Sequence, residues 1–561
     1  MAKRVAILGG GVGGLSAAHE LIERGFEVSV YEWRDVFGGK ARSIAVAGTG
    51  QGGRRDLPGE HGFRFFPGFY RHLPDTMKRI PYGGNGSVFE NLVEATRIHV
   101  ARAGQPPIIL TARVPRNTDD WVVAIQEVFK GIGVPDEEVL FFAERMFVLM
   151  TSCRERMDTE YEQIPWWTFI EAEKHSAAYQ TMLGKGLTRS LVAVHAQEAS
   201  TRTAGTTLAQ LLYGLMSLSG FDRLLNGPTS DVWLTPWVSY LRQRGAHLQG
   251  ATTVKALNAS STGISSVTVE TDGAPQEITA DYYISALPVE VMMPLVSEAI
   301  KSLAPSLANL DKLRTAWMNG IQFYLATDVP LEFGHSLYAD SPWALTSISQ
   351  HQFWKCVDLV AFGDGNVGGI LSVDISDWEV PGVLFGKTAK QCSAEEIEKE
   401  TWAQIQQHVN VSGAEVLRDQ NLLRWFLDPD VVFPNPQGVT VNLEPLMTNT
   451  SGSLQYRPEA FTEIPNLFLA SDYVRTNTDV ACMEAANEAA RRAVNALLDR
   501  AGSSAAPAAV WPLEVPEILR PFIDYDRLRF HLGLRHAGAK QGRWSKLVGQ
   551  LYGRLASHRG R

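Results

Sequence analysis

Cysteine is scarce in this chain. It has four in 561 residues, at Cys153, Cys356, Cys392 and Cys482. They form no C-x-x-C pair and suit neither a disulfide framework nor a structural zinc site, so a reduced, cytoplasmic chain is expected. Long apolar runs are missing as well. No stretch reaches the roughly 18 uninterrupted apolar residues that a spanning helix needs. Met1-Ala-Lys-Arg4 leads directly into apolar residues with no hydrophobic leader, so a signal peptide is not expected. Positive charge is not in excess, with 52 Lys and Arg against 61 Asp and Glu and a net charge of −9. That balance excludes general nucleic-acid binding. The sequence also lacks H-E-x-x-H, a G-x-S-x-G elbow, a Walker A loop and any Cys/His cluster with metal spacing, so no metal is expected. There is no internal repeat.

What is present is an ordinary apolar fraction, 45%, in a chain long enough for more than one domain. The amino terminus carries the most informative motif. Val5 to Leu8 is a short apolar run suited to a buried parallel strand. Gly9, Gly11 and Gly14 follow as G-x-G-x-x-G, and a helical pattern runs from about Leu15 to Arg24. Gly9 suits a tight turn, Gly11 a close approach of backbone to a pyrophosphate, and Gly14 close packing of helix on strand. The free N–H groups of the helix would face the phosphates. Val28 to Tyr31 reads as the second strand, and Glu32 at its end is placed to accept from ribose hydroxyls.

Further motifs choose among dinucleotides. Gly38-Gly39 and Arg42 resemble the second glycine pair of the flavin amine oxidase and phytoene desaturase superfamily, which lies against the cofactor's phosphate and ribityl portion. Asn466 to Tyr473 resembles the superfamily's final strand, with Asp472 as the acid that binds the ribityl chain. Met483-Glu484-Ala485-Ala486 is similar to its M-E-G-A motif, with Ala485 replacing a glycine. In the superfamily that helix N-terminus faces the flavin, where it favours negative charge on the reduced ring. Val254 corresponds to a residue whose backbone holds the adenine. The resemblance implies an α/β fold, a discontinuous Rossmann-like FAD-binding domain of the GR2 type with an α+β substrate domain. It also implies non-covalent FAD, since no covalent-attachment pattern is visible.

The segments expected for the FAD-binding domain are 1–75, 230–288 and 438–499, with the substrate domain in 76–229 and 289–437. Helical patterns are expected over Trp121 to Ile132, Glu137 to Met150, Trp237 to Gly245 and Ala394 to Val409, the last with Ser393 as N-cap and Glu396 close by. Residues 500–561 read as a linker, Ala501 to Ala509, followed by a basic amphipathic tail. Trp544, Leu547, Leu551 and Leu555 fall on one helical face beside Arg543, Lys546 and Arg554, the pattern of a peripheral membrane contact.

Glu60 to Tyr70 (E-H-G-F-R-F-F-P-G-F-Y) resembles the segment beside the flavin in carotenoid desaturases and hydroxysqualene dehydroxylases. Gly62 would allow close approach to the ring, and the phenylalanines would offer an apolar wall. His61, Arg64 and Tyr473 are the catalytic candidates, each with a purely structural alternative. Glu60 is expected to cap, or to pair with Arg54 or Arg55. Phe65, Phe66, Phe69, Trp166 and Trp167 are candidate tunnel residues, with core packing as the alternative for each. The resemblance implies an FAD-dependent oxidoreductase acting at carbon on an apolar, isoprenoid substrate of carotenoid or squalene type, by hydride transfer to or from flavin N5. The rivals are an amine oxidase, a redox-neutral double-bond isomerase and a non-enzymatic prenyl-binding relative. The sequence names neither the substrate nor the electron acceptor, and it shows no second dinucleotide fingerprint.

Overall fold

The computed structural model describes residues 2–111, 133–186, 188–189, 193–215, 222–433 and 440–539. The expected helix over Trp121 to Ile132 and the amphipathic tail from residue 540 onward lie outside them.

A five-stranded parallel sheet organises the dinucleotide side. Its order is His247–Gln249, Glu27–Tyr31, Arg4–Leu8, Tyr282–Ser285 and Leu467–Leu469. The first strand sits centrally, and all of it beyond Arg4 is buried. Helices Val12–Ile22 and Met483–Ala501 pack on this sheet and on each other. A three-stranded antiparallel sheet, Thr252–Ser260, Gly263–Thr271 and Ala274–Ile278, is appended to it. Parallel strands need crossovers, and here the crossovers contain whole subdomains, which makes the domain discontinuous.

A seven-stranded mixed sheet forms the second layer, in the order Gln105–Thr111, Arg97–Arg102, Gly334–Tyr338, Thr346–Ser349, Gly369–Ile375, Asn319–Leu325 and Leu422–Leu427. Helix Ala394–Val409 covers one face, and Ser393 and Glu396 form the capping box expected there. A helical cluster around Asp136–Met150 and Thr201–Leu215 has its own apolar core, built on Phe142, Trp166, Phe169 and Leu212.

Three expectations about organisation are corrected. Residues 76–91 and 289–313 pack with the dinucleotide side, because Met77, Ile80, Val88, Met292, Ile300, Leu307 and Leu313 join the core of the parallel sheet. The boundaries at 75 and 288 therefore fall too early. The Ala501 to Ala509 segment is not a free linker. Asn495 brackets Ala508 through both its amide N–H and its carbonyl, Arg24 donates to Ala506 O, and Arg491 donates to Ala509 O. The part of the tail that follows is docked as well. Helix Arg520–His531 buries Asp526 against Arg156, at 3.0 Å, and Phe522 and Ile523 enter the helical core.

Candidate functional site

The glycine-rich turn is set by steric need. Gly9 has φ +103°, and a Cβ there would lie 2.9 Å from Ala286 O. Gly14 approaches Gly9 O so closely that an added Cβ would lie 1.9 Å away, which brings helix Val12–Ile22 hard against the strand. Gly13, which the fingerprint does not count, is as tight, with Ala470 O at 2.0 Å. Gly11 differs. It is the N-cap of the helix, has no side-chain cap, and an added Cβ would find its nearest atom at 3.7 Å. The space it faces is a cavity. Gly38 and Gly39, with φ +120° and +55°, fold over the turn, and Gly38 N–H donates to Gly10 O at 2.8 Å. Glu32 accepts from the N–H of Gly10 at 2.7 Å and of Arg34 at 3.1 Å. It therefore braces the turn as well as lining the cavity, and burial pushes its carboxyl up.

The cavity has a volume of about 630 Å³, within the range of roughly 300–1,000 Å³ usual for ligand sites. At the dinucleotide side it is lined by Gly9, Gly11, Glu32, Gly38, Gly39 and Val254. It continues past Asp472 and Met483 to Gly62, Phe63, Phe65, Phe69, Tyr70 and Leu211. An uncapped helix N-terminus, an open glycine face and two flanking carboxylates, Glu32 and Asp472, fit a dinucleotide.

His61 and Arg64 both line the cavity. His61 Nδ1 lies 2.7 Å from Asp428 Oδ2. Asp428 is fixed in turn by Asn319 Nδ2 at 2.6 Å, and although burial opposes it, His61 holds this carboxyl below its ordinary value. Arg64 donates to Lys40 O at 3.0 Å, and burial pulls its guanidinium down. Two buried carboxyls attend it. Burial drives Glu60 and Asp374 each up to about 7, against the pull of Arg64. Glu60 does not pair with Arg54 or Arg55. It accepts from Ser43 Oγ at 2.8 Å and Thr229 N–H at 3.0 Å, while Arg55 reaches Asp231 and Arg54 reaches Val360 O.

Other predicted residues stand elsewhere. Arg42 is buried but does not line the cavity. Its guanidinium is held by Asp430 at 2.6 Å and Glu444 at 2.9 Å, with Arg34 also on Asp430 at 2.5 Å. His61, Asp430 and Glu444 have ligand atoms within 4.8 Å of one another, a spacing that could hold a metal ion. The two arginines already neutralise those carboxylates. Glu484 also misses the cavity. Its carboxylate accepts from the N–H groups of Arg71, His72 and Leu73 and meets His72 Nδ1 at 2.8 Å, so it caps helix His72–Lys78. Tyr473 is fully buried in the core of the parallel sheet and does not line the cavity. Trp166 and Trp167 belong to the helical core, and Phe66 stands edge-on to Trp233. Of the proposed wall, Phe65 and Phe69 face the cavity.

The sequence reading missed Asp374 and His335, which line the cavity from the seven-stranded sheet. A Cβ on Gly62 would sit 2.6 Å from Asp374 Oδ1. The missing side chain at Gly62, although the residue lines the cavity, is thus demanded first by Asp374. Glycines in both strands would have been the signal: Gly320 lies directly opposite Asp374 in the ladder, and its Cβ would strike Gly62 Cα at 2.8 Å.

Residues 12–498 match a family model described as flavin containing amine oxidoreductase. Over 520 residues the chain is 24% identical to 15-cis-phytoene desaturase of Synechococcus elongatus, covering 89% of this chain and 96% of the relative. Over 518 residues it is 23% identical to zeta-carotene desaturase of Synechocystis sp., covering 88% and 97%. Wild-type putrescine oxidase bound to putrescine superposes with a TM-score of 0.58 at 13% identity, over 89% of this chain and 99% of that one. That last likeness is one of fold.

Proposed function

The chain belongs to the family of flavin-containing amine oxidoreductases and is a flavin-dependent oxidoreductase, and from that premise we propose that it binds FAD non-covalently and acts at carbon on an apolar, isoprenoid substrate of carotenoid or squalene type. The observation that carries the substrate reading is the wall of Phe63, Phe65, Phe69 and Leu211 in the same cavity as the glycine-rich turn. Full-length similarity to two carotenoid desaturases supports it.

Gly11 and the N-terminus of helix Val12–Ile22 would hold the pyrophosphate, Glu32 the ribose, the Val254 backbone the adenine and Asp472 the ribityl chain. Met483, at the start of its helix, and Gly62 would adjoin the ring. When bound, flavin accepts or gives a hydride through N5, chemistry that is the cofactor's own. The phenylalanines exclude water and leave the substrate few ways to lie. His61 would hold a proton at Nε2, because Asp428 engages Nδ1. Arg64, between Glu60 and Asp374, keeps positive charge at the wall.

The test is a flavin spectrum with chromatography of the flavin released on denaturation, then anaerobic mixing of the holoprotein with phytoene, squalene and putrescine. Flavin reduction or product formation with the isoprenoids supports the proposal. Fast reduction by putrescine with no response to isoprenoids would overturn it in favour of amine oxidation.

We also propose a membrane-surface contact at the C-terminal end. Among the described residues, no helix is long and apolar enough to cross a membrane. Helix Arg520–His531 and the turn after it expose Tyr525, Leu528, Leu532 and Leu534 among Arg520, Arg529 and Arg535, a mixture suited to an anionic interface.

A further inference from the structure

The cavity wall is not uniformly apolar. His335, Thr346 and Asp374 lie on three neighbouring strands of the seven-stranded sheet, and all three line the cavity. Thr346 pairs directly with Asp374, and the register of Ser336 with Ser347 places His335 on the same face. Arg64 reaches the cavity from the segment that follows Gly62.

Three of these side chains have a buried polar atom without a hydrogen-bond partner: Arg64 Nε, Asp374 Oδ1 and His335 Nε2. Asp374 and His335 are only 8% and 6% exposed. The local packing keeps the three atoms from one another's service. Arg64 Nη2 is engaged by Lys40 O. The Asp374 carboxyl leans on Gly62 and accepts from the Phe63 N–H. The His335 ring is flanked by Phe63 and Phe65, at 5.2 and 5.0 Å between centroids. Buried polar groups are almost always satisfied, and a donor and an acceptor turned to one cavity select a ligand that can answer both.

We propose that Arg64, Asp374 and His335 form a subsite for an oxygen substituent, a hydroxyl or carbonyl, carried by an otherwise apolar substrate. The inference rests on the apolar-substrate reading above and narrows it. A hydrocarbon lying on this wall would leave the three polar atoms without partners, whereas an alcohol both donates and accepts. The flavin's own carbonyl edge has the same accepting chemistry, so the experiment must separate cofactor from substrate.

The probes are geranylgeraniol and the matched hydrocarbon lacking the hydroxyl, titrated into the holoprotein and followed by perturbation of the flavin absorption. The wild type should bind the alcohol about tenfold more tightly or better, the worth of roughly one satisfied hydrogen bond to a charged group. His335→Phe, which continues the adjacent aromatic packing, should bring the two affinities to within about threefold and leave flavin content unchanged. Arg64→Met provides a second, independent variant with the same expectation. Equal binding of the two probes by the wild type would overturn the subsite and leave the apolar-substrate reading standing. Failure of a flavin-loaded wild type to bind either probe would overturn both. Loss of flavin affinity in the variants, with the alcohol preference intact, would assign the polar atoms to the cofactor and refute the proposal.

Discussion

Gly11 and Gly13 stand two residues apart in the same turn, and the structure assigns them opposite consequences. Gly13→Ala would place a methyl group 2.0 Å from Ala470 O. Ordinary carbon–oxygen contact needs more than about 3 Å, so helix Val12–Ile22 would have to retreat by roughly 1 Å from the end of strand Leu467–Leu469. Overpacking of this kind costs about 1–3 kcal/mol, a fall of a few to about 10 °C in melting temperature for a domain of this size. Gly11→Ala meets no atom closer than 3.7 Å, and its φ of −73° suits any L-residue. The flavin-stripped Gly11→Ala protein should therefore match the wild type to within about 0.5 kcal/mol. Its methyl group enters the cavity, where backbone must approach phosphate. Loss of one charge-assisted hydrogen bond, worth about 1.5–3 kcal/mol, would raise the FAD dissociation constant about 10- to 150-fold. Calorimetry of the stripped proteins and fluorescence titration with FAD read the two effects separately. Wild-type FAD affinity in Gly11→Ala, or a melting point lowered as far as in Gly13→Ala, would refute the placement of the cofactor over Gly11.

What the sequence disclosed was local. The glycine turn, the strand ending at Glu32 and the capping box at Ser393 each lie within one short segment, where spacing alone fixes the geometry. Residues that meet through tertiary packing were harder to read. Asp374 and His335 look like ordinary strand residues, and only the approach of the sheet to Gly62 turns them toward the cavity. Trp166 and Trp167 carry the bulk expected of a tunnel, but bulk does not distinguish a cavity wall from a core. Arg42 and Glu484 occupy motif positions, yet their partners, Asp430, Glu444 and the 71–73 backbone, come from far along the chain. The Ala501 to Ala509 segment shows the limit of composition as a guide. Small residues make a flexible linker only when nothing binds their backbone, and here Asn495, Arg24 and Arg491 do so.

The remaining predictions follow from buried charges and from the C-terminal end. Glu484→Ala should cost about 3–5 kcal/mol, because it leaves three backbone donors and His72 without their buried acceptor; urea unfolding measures this, and FAD bound per folded molecule should not change. Glu60 has a carboxyl raised from 4.5 to about 7, so its contribution to stability is full below pH 4.5 and is lost as pH rises through 7; Glu60→Gln should gain about 2–3 kcal/mol on the wild type between pH 4.5 and 8, and parallel stability curves for the two proteins would contradict that assignment. Removal of residues 540–561 tests the proposed membrane contact. Asp526 anchors helix Arg520–His531 to Arg156 and to the Cys153 N–H, inside the part that is kept, so the truncated protein should melt like the full chain. The removed segment contains Arg543, Lys546, Arg554, Arg559 and Arg561, and each basic residue near an anionic surface is worth about 1 kcal/mol. Sedimentation with phosphatidylserine vesicles at low salt should therefore show at least a tenfold loss of binding, while neutral vesicles bind both forms weakly. Equal sedimentation of the two forms would remove the segment as the anchor, and a lowered melting temperature would show instead that it packs on the protein's own surface.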